Sequence, residues 1–464
     1  MAVSKDAFSS LSLKPELLSN LGSLGYEKMT PIQAQSLPAI LAGQDVIAQA
    51  KTGSGKTAAF GLGVLQHLNV KRFRVQTLIL CPTRELADQV AKEIRKLARA
   101  IHNIKVLTLC GGMPFGPQIG SLEHGAHIIV GTPGRVEEHV RKGNLSLDDL
   151  NLLVLDEADR MLEMGFQDAL DAILDYAPVD RQTLLFSATY PKEIEKIAAD
   201  VMKKPVVVKV AATHDNSSIE QIFYKVDSNQ DRLNAVRLLL AQHRPESTVV
   251  FCNTKREAQE IADDLEDYGY SAIALHGDLD QRQRDQALVR FSNKSASVMV
   301  ATDVAARGLD IDKLDCVINY QLARDTEVHV HRIGRTGRAG SQGIACSLYS
   351  DNEHYKVLML EEYLDREIEP AVLPPLSLLD QPTFRPAMVT LLIDGGKRQK
   401  IRPGDILGAL TGENGIRGDQ VGKINVFDYC SYVAVMNDVA RAAYKKLEKG
   451  KLKGRSCRVR QIRG

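Results

Sequence analysis

The sequence predicts an α/β protein with two parallel-sheet domains in series and a small βαββαβ domain at its carboxyl end. Short apolar, β-branched runs alternate with longer amphipathic segments, and this alternation restarts after a polar interruption. A proline-dense stretch then separates the last part of the chain from the two α/β segments. At 464 residues the chain is also too long for one hydrophobic core.

Apolar runs without polar alternation predict strands that are buried on both faces of a parallel sheet. In the predicted first domain, residues 1–210, they include Val46–Ala48, Thr77–Cys81, Ile128–Val130, Leu152–Leu155 and Thr183–Phe186. AATHDNSS, residues 211–218, is a predicted linker. In the predicted second domain, residues 219–370, they include Ile222–Val226, Thr248–Cys252, Ala272–Leu275, Ser297–Ala301 and Cys316–Tyr320.

The sequence after Pro370 is proline-rich and lacks the hydrophobic periodicity of a helix or strand, so residues 371–386 are predicted to form a second linker. Residues 387–464 follow as the third domain. Its predicted elements are strand Met388–Ile393, helix Asp405–Leu410, strands Val421–Phe427 and Tyr432–Val435, helix Asp438–Lys449 and strand Cys457–Ile462.

The net charge of +1 conceals an uneven distribution. Residues 381–464 contain 17 Lys and Arg against 7 Asp and Glu, which leaves a mildly acidic remainder. A basic module on such a body favours a nucleic-acid partner. The seven cysteines are scattered without a C-x-x-C pair, several of them in apolar runs, which argues against disulfides and structural zinc. With no apolar signal region at the start of the sequence, we expect a cytoplasmic location and no membrane partner.

AKTGSGKT, residues 50–57, follows an apolar strand and precedes a predicted helix. Gly53 and Gly55 permit a loop whose backbone N–H groups face phosphate oxygens, with Lys56 on the β- and γ-phosphates and the Thr57 hydroxyl on Mg²⁺. The first position of this pattern is Ala50 and not glycine. A glycine-rich turn without function is the alternative.

LLVLDEAD, residues 152–159, ends an apolar strand in acidic residues. Acids at the carboxyl end of a parallel strand lie where such sheets bind ligands. We expect Asp156 to hold Mg²⁺ through water, and Glu157 to orient and deprotonate an attacking water. A solvated acidic turn is the alternative. Together with the phosphate loop, this pattern predicts hydrolysis of a nucleoside triphosphate.

HRIGRTGRAG, residues 331–340, contains three arginines and three glycines. Arginine favours multi-oxygen anions, and an arginine from another domain can stabilise charge on a transferred phosphoryl group. Such a site would be complete only when two domains close. The alternative is a solvated basic loop or a general contact for nucleic-acid backbone.

The motifs in order resemble the DEAD-box RNA helicases over residues 8 to about 350. The matching stretches are TPIQ (30–33), AKTGSGKT, PTRELA (82–87), GG (111–112), TPGR (132–135), DEAD (156–159), SAT (187–189), VFCNT (250–254), TDVAARGLD (302–310) and HRIGRTGR. The resemblance implies two RecA-like domains with ATP and Mg²⁺ between them and RNA across both.

It also implies residue roles. Phe8 would stack on adenine, Gln33 would bind its edge, and Asp303 would lie near the ribose. Arg335 and Arg338 would be the arginine fingers. The other ATP contacts would be Ala50, Lys51, Thr52, Gly53, Ser54, Gly55, Lys56 and Thr57. Coupling between the domains would involve Asp159, Ser187, Thr189 and His331. The RNA backbone would be held by Arg84, Gly112, Thr132 and Arg135 in the first domain, and by Gln281, Arg284 and Thr302 in the second. Hydroxyls, glycine N–H groups and guanidinium suit phosphate and sugar contacts, which predicts a core that does not distinguish sequences.

The third domain resembles an RNA-recognition motif, in which central strands stack bases on aromatic residues. The corresponding positions here hold Cys430, Tyr432 and Val435, and Thr390 stands where the first strand would carry an aromatic. Only one stacking residue is thus present. This argues against RNA binding in the usual way on the sheet face.

The positive charge of this domain is concentrated in its last helix and the segment that follows. Arg441, Lys445 and Lys449 recur every four residues opposite an apolar face, and Lys453 and Arg455 follow. GGKRQK, residues 395–400, adds a second cluster. Ten basic residues against one acid over 441–464 favour phosphate contact over a merely solvated face.

Such a core and tail, with DGGKRQKIRPGDILGALTG (394–412) and KGRSCRVR (453–460), is similar to the bacterial DEAD-box protein A subfamily. The likeness implies an ATP-dependent RNA helicase that acts on a hairpin of 23S ribosomal RNA during assembly of the large subunit. An ATP-gated RNA clamp or annealing chaperone without that specificity is the alternative, and a translocating DNA helicase is a more distant one. We expect RNA and not DNA as partner, and a monomer, with a dimer left open.

Overall fold

The computed structural model describes residues 6–50, 53–190, 192–210, 219–306, 314–337 and 342–462. The contacts within the chain divide it into two compact units. The first sheet lies in one unit, and the second and third sheets lie in the other. The predicted linker 211–218 is outside the described residues.

The first unit is a parallel sheet of seven strands with helices on both faces. Its strands β1–β7 are Val46–Gln49, Thr77–Leu80, Val106–Leu109, Ile128–Gly131, Leu152–Asp156, Gln182–Ser187 and Val206–Lys209. Its helices α1–α9 are Pro15–Ser23, Pro31–Leu41, Lys56–His67, Arg84–Leu97, Phe115–Glu123, Pro133–Arg141, Ala158–Glu163, Gln167–Tyr176 and Lys192–Val201. The strand order is β3-β4-β2-β5-β6-β1-β7.

Local sequence explains why these helices begin and pack as they do. Helix α4 starts after Thr83, whose hydroxyl accepts a hydrogen bond from the Leu86 N–H at 3.3 Å. Buried residues then recur at helical spacing along one face, at positions 86, 87, 90, 91, 94 and 97. Two apolar clusters of this kind cover the two faces of the sheet.

The second sheet repeats the architecture in the other unit. Its strands β8–β14 are Ile219–Lys225, Thr248–Cys252, Ala272–Leu275, Val298–Thr302, Cys316–Asn319, Gly343–Tyr349 and Pro370–Ala371. Its helices α10–α15 are Asn229–His243, Lys255–Asp267, Gln281–Ser292, Asp303–Ala306, Thr326–Ile333 and His354–Leu364. The strands are parallel, in the order β10-β11-β9-β12-β13-β8-β14.

The third sheet is antiparallel, with strand order β16-β17-β15-β18. Strands β15–β18 are Met388–Ile393, Val421–Val426, Ser431–Met436 and Val459–Ile462, and helices α16 and α17 are Pro403–Thr411 and Ala440–Lys449. The predicted fold class of two RecA-like parallel-sheet domains and a small βαββαβ domain is confirmed.

The segment 371–386, predicted as a linker, runs along the second domain. Ala371 pairs with β8 as part of β14, the Thr383 hydroxyl donates to the Gly269 carbonyl at 3.0 Å, and Arg244 donates to the Pro382 carbonyl at 3.2 Å. All seven cysteines are free thiols, five of them buried. In the described part of the chain, no helix is long and apolar enough to cross a membrane.

Candidate nucleotide and RNA sites

The predicted phosphate loop connects the end of β1 to the start of α3. Gly53 and Gly55 have φ of +82° and +94°, which is the left-handed region, and Lys56 opens the helix. A Cβ on Gly55 would lie 2.5 Å from the amide nitrogen of Gln33, so glycine is required there for two reasons. The first-turn N–H groups of a helix reached through such a loop form an anion-binding site.

The other residues of the AKTGSGKT motif are buried or half-buried where the structure describes them. Ala50 is buried and its N–H donates to the Ser187 carbonyl at 3.0 Å, while Ser54 and Thr57 are half-buried. Lys51 and Thr52 lie outside the described residues.

Asp156 ends strand β5, which neighbours β6, which in turn neighbours β1. The carboxylate and the phosphate loop therefore share one edge of the sheet. Within the described chain, the Lys56 ammonium and one oxygen of Asp156 are buried without a hydrogen-bond partner. Burial, opposed by Lys56 and reinforced by Glu157, raises the pKa of Asp156 to about 7. A buried ammonium and a buried carboxylate oxygen without hydrogen-bond partners fit a nucleoside triphosphate and its divalent ion. The phosphates would provide a partner for Lys56, and the ion would provide one for Asp156.

Glu157 has a φ of +55°, and its carboxylate accepts a hydrogen bond from Arg160 at 2.8 Å. Both side chains of this ion pair are almost completely buried. Arg160 was not identified as part of the site from the sequence. Its position three residues after Glu157 on a helix was the available signal.

Asp159 connects the acidic motif to the SAT motif. One of its carboxylate oxygens accepts hydrogen bonds from the Thr189 N–H and the Thr189 hydroxyl, each at 2.9 Å. Burial opposes ionisation, but these bonds hold the pKa of Asp159 below its usual value. Ser187 is buried at the end of β6. Three of the four residues predicted to couple the domains are therefore close to one another in the first domain.

Gln33 and Phe8, the predicted adenine contacts, both make internal contacts. The Gln33 amide accepts from the Thr30 N–H at 2.9 Å and donates to the Gly55 carbonyl at 3.0 Å, which joins it to the phosphate loop. Phe8 is buried and packs edge-to-face against Tyr26. The Gly55 contact places Gln33 beside the loop, and the adenine roles of both residues stay predictions.

The predicted RNA contacts of the first domain follow the adjacent strands β3, β4 and β2. Arg84 opens helix α4, Gly112 has a φ of +73°, and the Thr132 hydroxyl accepts from the Gly111 N–H at 3.4 Å. The Arg135 guanidinium donates to the Met113 carbonyl at 2.9 Å. Because the carboxyl ends of parallel strands meet at one edge, these residues follow the same edge of the sheet.

In the second domain, Arg332 is the centre of the arginine motif. Its side chain is only 1% exposed, and its guanidinium donates to both oxygens of Asp303 at 2.6 and 2.8 Å. It also donates to the Gln321 carbonyl at 2.7 Å and to Asn253 at 3.1 Å. Arg332 was assigned no role from the sequence, although its place in a dense arginine motif was a signal. Asp303, predicted near the ribose, thus uses its carboxylate to hold Arg332.

Of the two predicted arginine fingers, Arg335 follows helix α14, which ends at Ile333. Arg335 is buried, with its carbonyl accepting from the Leu314 N–H at 3.1 Å, and His331 is half-buried in the helix. Arg338 lies outside the described residues.

Two of the predicted RNA contacts of the second domain, Thr302 and the guanidinium of Arg284, lie at the end of β11 or beside the residues just after it, and the third, Gln281, begins helix α12. Thr302 is the last residue of β11, Arg284 donates to the Ala305 carbonyl at 2.9 Å, and the Gln281 amide donates to Asp285 at 2.7 Å.

The third domain presents its charge as expected. Arg441, Lys445 and Lys449 are exposed on α17, while Ala443 and Leu447 of the same helix are buried. Lys453 forms an ion pair with Asp405 at 3.0 Å. A concavity of about 770 Å³ is lined by Lys397, Gln399, Lys400, Ile401, Arg402, Lys453 and Arg455. Of its cations, Lys453 and Arg455 were singled out individually from the sequence, and the GGKRQK run was the signal for Lys397 and Lys400.

The sheet face of this domain packs against the second domain. Tyr432 is 1% exposed and clusters with Leu392 and with Val289 of helix α12. Thr390 is fully buried and bonds to Asn293 at 2.8 Å and to Ser295 at 2.6 Å. The surface on which an RNA-recognition motif usually stacks bases is therefore covered.

Comparison with known proteins identifies the family. Residues 30–197 match the DEAD/DEAH box helicase family, residues 231–340 match the helicase conserved C-terminal domain, and residues 390–461 match the DbpA RNA binding domain. The chain is 54% identical to ATP-dependent RNA helicase DbpA of Escherichia coli over 458 residues, which is 98% of this chain and 100% of that protein. The chain belongs to the DbpA-type DEAD-box RNA helicases.

Other relatives agree with this assignment. The DbpA-type helicase of Bacillus subtilis is 36% identical over 473 residues, 97% of this chain and 98% of the relative. The structure of Saccharomyces cerevisiae Dbp5 bound to RNA and ADP–BeF3 aligns with a TM-score of 0.71 at 31% identity, over 79% of this chain and 95% of that one. The DbpA-type chain is therefore an ATP-dependent RNA helicase with an RNA-binding domain of its own.

Proposed function

We propose that this helicase separates short duplexes locally in 23S ribosomal RNA, in the cytoplasm, while the large ribosomal subunit is assembled. The observation that carries this proposal is the basic concavity of the third domain, joined in one chain to a nucleotide-hydrolysing core. A match to the DbpA RNA binding domain supports an RNA target for that concavity. The 23S target follows from the resemblance of the tail to the subfamily.

ATP hydrolysis would use the edge of the first sheet. Lys56 and the loop N–H groups bind the phosphates, with Thr57 and, through water, Asp156 as the residues that would hold Mg²⁺. The bound cation would neutralise charge that develops on the phosphate oxygens. Glu157, fixed by Arg160, orients the attacking water and accepts its proton.

The second domain would supply the arginine fingers. Arg335 and Arg338 stabilise charge on the transferred phosphoryl group when ATP and RNA bring the domains together. The buried Arg332 network supports this role because it fixes the helix that precedes both fingers to Asp303. Asp159, Ser187, Thr189 and His331 transmit the state of the nucleotide between the domains.

Strand separation would result from closure around one RNA strand. Arg84, Gly112, Thr132 and Arg135 hold the backbone in the first domain, and Gln281, Arg284 and Thr302 hold it in the second. Bending the strand costs stacking energy of about 1 to 2 kcal/mol per step, judged from DNA duplexes. Closure can supply that for a few steps, and hydrolysis reopens the clamp.

The third domain would direct the core to its target. Its concavity and the stripe Arg441, Lys445 and Lys449 offer cations to the phosphates of a folded hairpin, and Tyr432 is buried away from them. The alternative, an ATP-gated clamp or annealing chaperone without ribosomal specificity, requires the same sites but no preference for the hairpin.

Competition binding tests the proposal. The full-length protein is bound to a 23S fragment that contains the candidate hairpin and is challenged with the same fragment or with an unrelated RNA of equal length. We expect at least tenfold preference for the fragment, lost when Lys400 and Arg402 are both replaced by glutamate. Equal competition would leave a general RNA helicase and would overturn the ribosomal assignment.

A further inference from the structure

Helix α5 carries a buried side chain that none of the motifs includes. Gln118 is 8% exposed, and its amide nitrogen donates to the Cys110 carbonyl at 3.1 Å. Its amide oxygen lies 2.9 Å from the Arg135 guanidinium and 2.9 Å from Nε2 of His139. One buried amide thus joins the end of β3, helix α5 and helix α6.

The hydrogen-bonding directions in this cluster are fixed by chemistry. A guanidinium can only donate, so the Gln118 atom that faces Arg135 must be the oxygen. That oxygen accepts only, so Nε2 of His139 must carry the proton. Among the described residues, Nδ1 of this fully buried histidine has no hydrogen-bond partner. Burial, reinforced by Arg135, lowers the pKa of His139, which agrees with a neutral ring. His139 can therefore serve as a fixed, uncharged donor.

The surrounding contacts leave Arg135 few alternative rotamers. The nitrogen that donates to Gln118 also donates to the Met113 carbonyl at 2.9 Å, and Nε lies 3.3 Å from Glu138. The Phe115 ring stacks on His139 with centroids 4.2 Å apart, and the Arg135 guanidinium lies 5.4 Å from the centroid of that ring. The second terminal nitrogen of Arg135 takes part in none of the hydrogen bonds just described.

We propose that Gln118 is a positioning residue for RNA: it fixes the Arg135 guanidinium and the turn after β3 in one geometry, so that both meet the same strand. The Cys110 carbonyl precedes Gly111 and Gly112, and Gly111 is bonded to Thr132 at 3.4 Å. Gln118 therefore connects the GG motif to the TPGR motif through a single amide. An arginine held in advance loses less side-chain entropy when it contacts a phosphate.

The inference rests on the proposed RNA role of Arg135. The variants distinguish the role of Gln118 from the role of Arg135 itself. Gln118→Met keeps the volume and removes both hydrogen-bonding groups, and Gln118→Asn keeps an amide that is one methylene too short. Arg135→Ala removes the contact itself, and the double variant Gln118→Met with Arg135→Ala completes a cycle. Ser121→Ala, on the same helix with an exposed hydroxyl, is the matched control.

The measurement is ATPase activity against RNA concentration at several salt concentrations, on full-length protein. We expect Gln118→Met to raise the RNA concentration for half-maximal activation about fivefold, with kcat at saturating RNA and the KM for ATP unchanged. We expect the salt slope to fall by about 0.7, as for one lost phosphate contact on a single strand. In the Arg135→Ala background, Gln118→Met should add less than about twofold, because both changes remove one interaction.

Additive effects and an unchanged salt slope for Gln118→Met would overturn the inference, since Gln118 would then be only a packing residue. If Arg135→Ala itself does not change RNA activation, the proposed role of TPGR fails, and the inference fails with it. If Gln118→Met does not fold, Gln118→Asn decides the question with the same two readouts. Loss of RNA activation in Ser121→Ala would also count against it, because any change in α5 would then suffice.

Discussion

Glu157 adopts a left-handed backbone conformation, with a φ of +55°, directly after β5. A non-glycine residue in this region costs on the order of 1 kcal/mol, and such strain concentrates at functional sites. The buried ion pair with Arg160 fixes the side chain in addition. Backbone and side chain together hold the carboxylate next to Asp156.

Replacing Glu157 by glutamine tests its role at the residue scale. We expect kcat for RNA-stimulated ATP hydrolysis to fall at least 100-fold, the usual loss for a removed general base, while ATP-dependent RNA binding remains. Asp168→Asn, an exposed change in helix α8, is the control. RNA remodelling at the wild-type rate in Glu157→Gln would show that hydrolysis is not the working step.

Arg332 allows a prediction about folding. Lysine at this position cannot donate to both oxygens of Asp303 and also reach Asn253 and Gln321. Because the side chain is 1% exposed, we expect Arg332→Lys to lower the free energy of unfolding by about 3 kcal/mol. Chemical denaturation measures this, and Asp303→Asn should be strongly non-additive with it. Independent effects would mean that the pair does not act as a unit.

At the scale of elements, the third domain separates charge from its sheet face. Helix α17 exposes lysine and arginine opposite buried Ala443 and Leu447, and strand β17 buries Tyr432 against Val289. Four-residue spacing predicted the first arrangement. The missing aromatics indicated that bases do not stack on the sheet in the usual way. They did not indicate that helix α12 covers it, because that contact joins residues more than 90 positions apart.

This separation predicts different outcomes for two substitutions. Tyr432→Leu should leave affinity for the ribosomal fragment within about twofold, because a buried ring cannot stack on a base. Lys400→Ala should weaken binding and make it less salt-dependent, because one phosphate contact is removed. Filter binding at several salt concentrations compares them. A large loss of affinity in a folded Tyr432→Leu variant would restore the sheet face as the binding surface.

In the first sheet, the edge strands were harder to predict than the central ones. Strands β2, β5 and β9 are buried throughout and were found within one residue of their observed ends. Strands β3 and β7 were not singled out. They lie at the two edges of the first sheet and are partly exposed, with Val207 53% accessible, so their sequences carry a weaker burial pattern.

On the scale of the whole molecule, stability should depend on pH through His329. Burial, with Arg332 and Arg366 nearby, lowers the pKa of this histidine to about 3. An exposed histidine in the unfolded chain titrates near 6.5, so only the unfolded chain gains a proton between these values. The stabilisation is therefore fully present above pH 6.5 and is lost as the pH falls, by up to about 1.4 kcal/mol per pH unit.

His329→Leu should flatten this dependence. We expect the free energy of unfolding to decline less steeply between pH 6.5 and pH 4. The slope should correspond to about one fewer proton taken up on unfolding, because the titrating group is gone. His102→Gln, an exposed substitution in the first domain, is the control and should leave the slope unchanged. Parallel curves for wild type and His329→Leu would assign the acid sensitivity to other groups.

The assignment of ATP hydrolysis and RNA binding to different parts of the chain was the most accessible from sequence. Ordered motifs located the phosphate loop and the acidic motif, and charge counting located the basic third domain. The contacts of Arg332 and Gln118 were not accessible, because they join residues that are far apart in the sequence, whereas the three-residue spacing of Arg160 and Glu157 was a local signal that was not used. Local pattern specifies which chemistry is present, and tertiary packing specifies which side chains hold it in place.

We propose that the basic third domain directs the hydrolysing core to its RNA. The ATPase rate under three conditions tests this most directly. The conditions are full-length protein with the ribosomal hairpin fragment, full-length protein with unrelated RNA of equal length, and protein lacking residues 381–464 with the hairpin fragment. We predict strong stimulation in the first condition only. Equal stimulation in all three would contradict it and would leave a helicase core whose tail does not select its RNA.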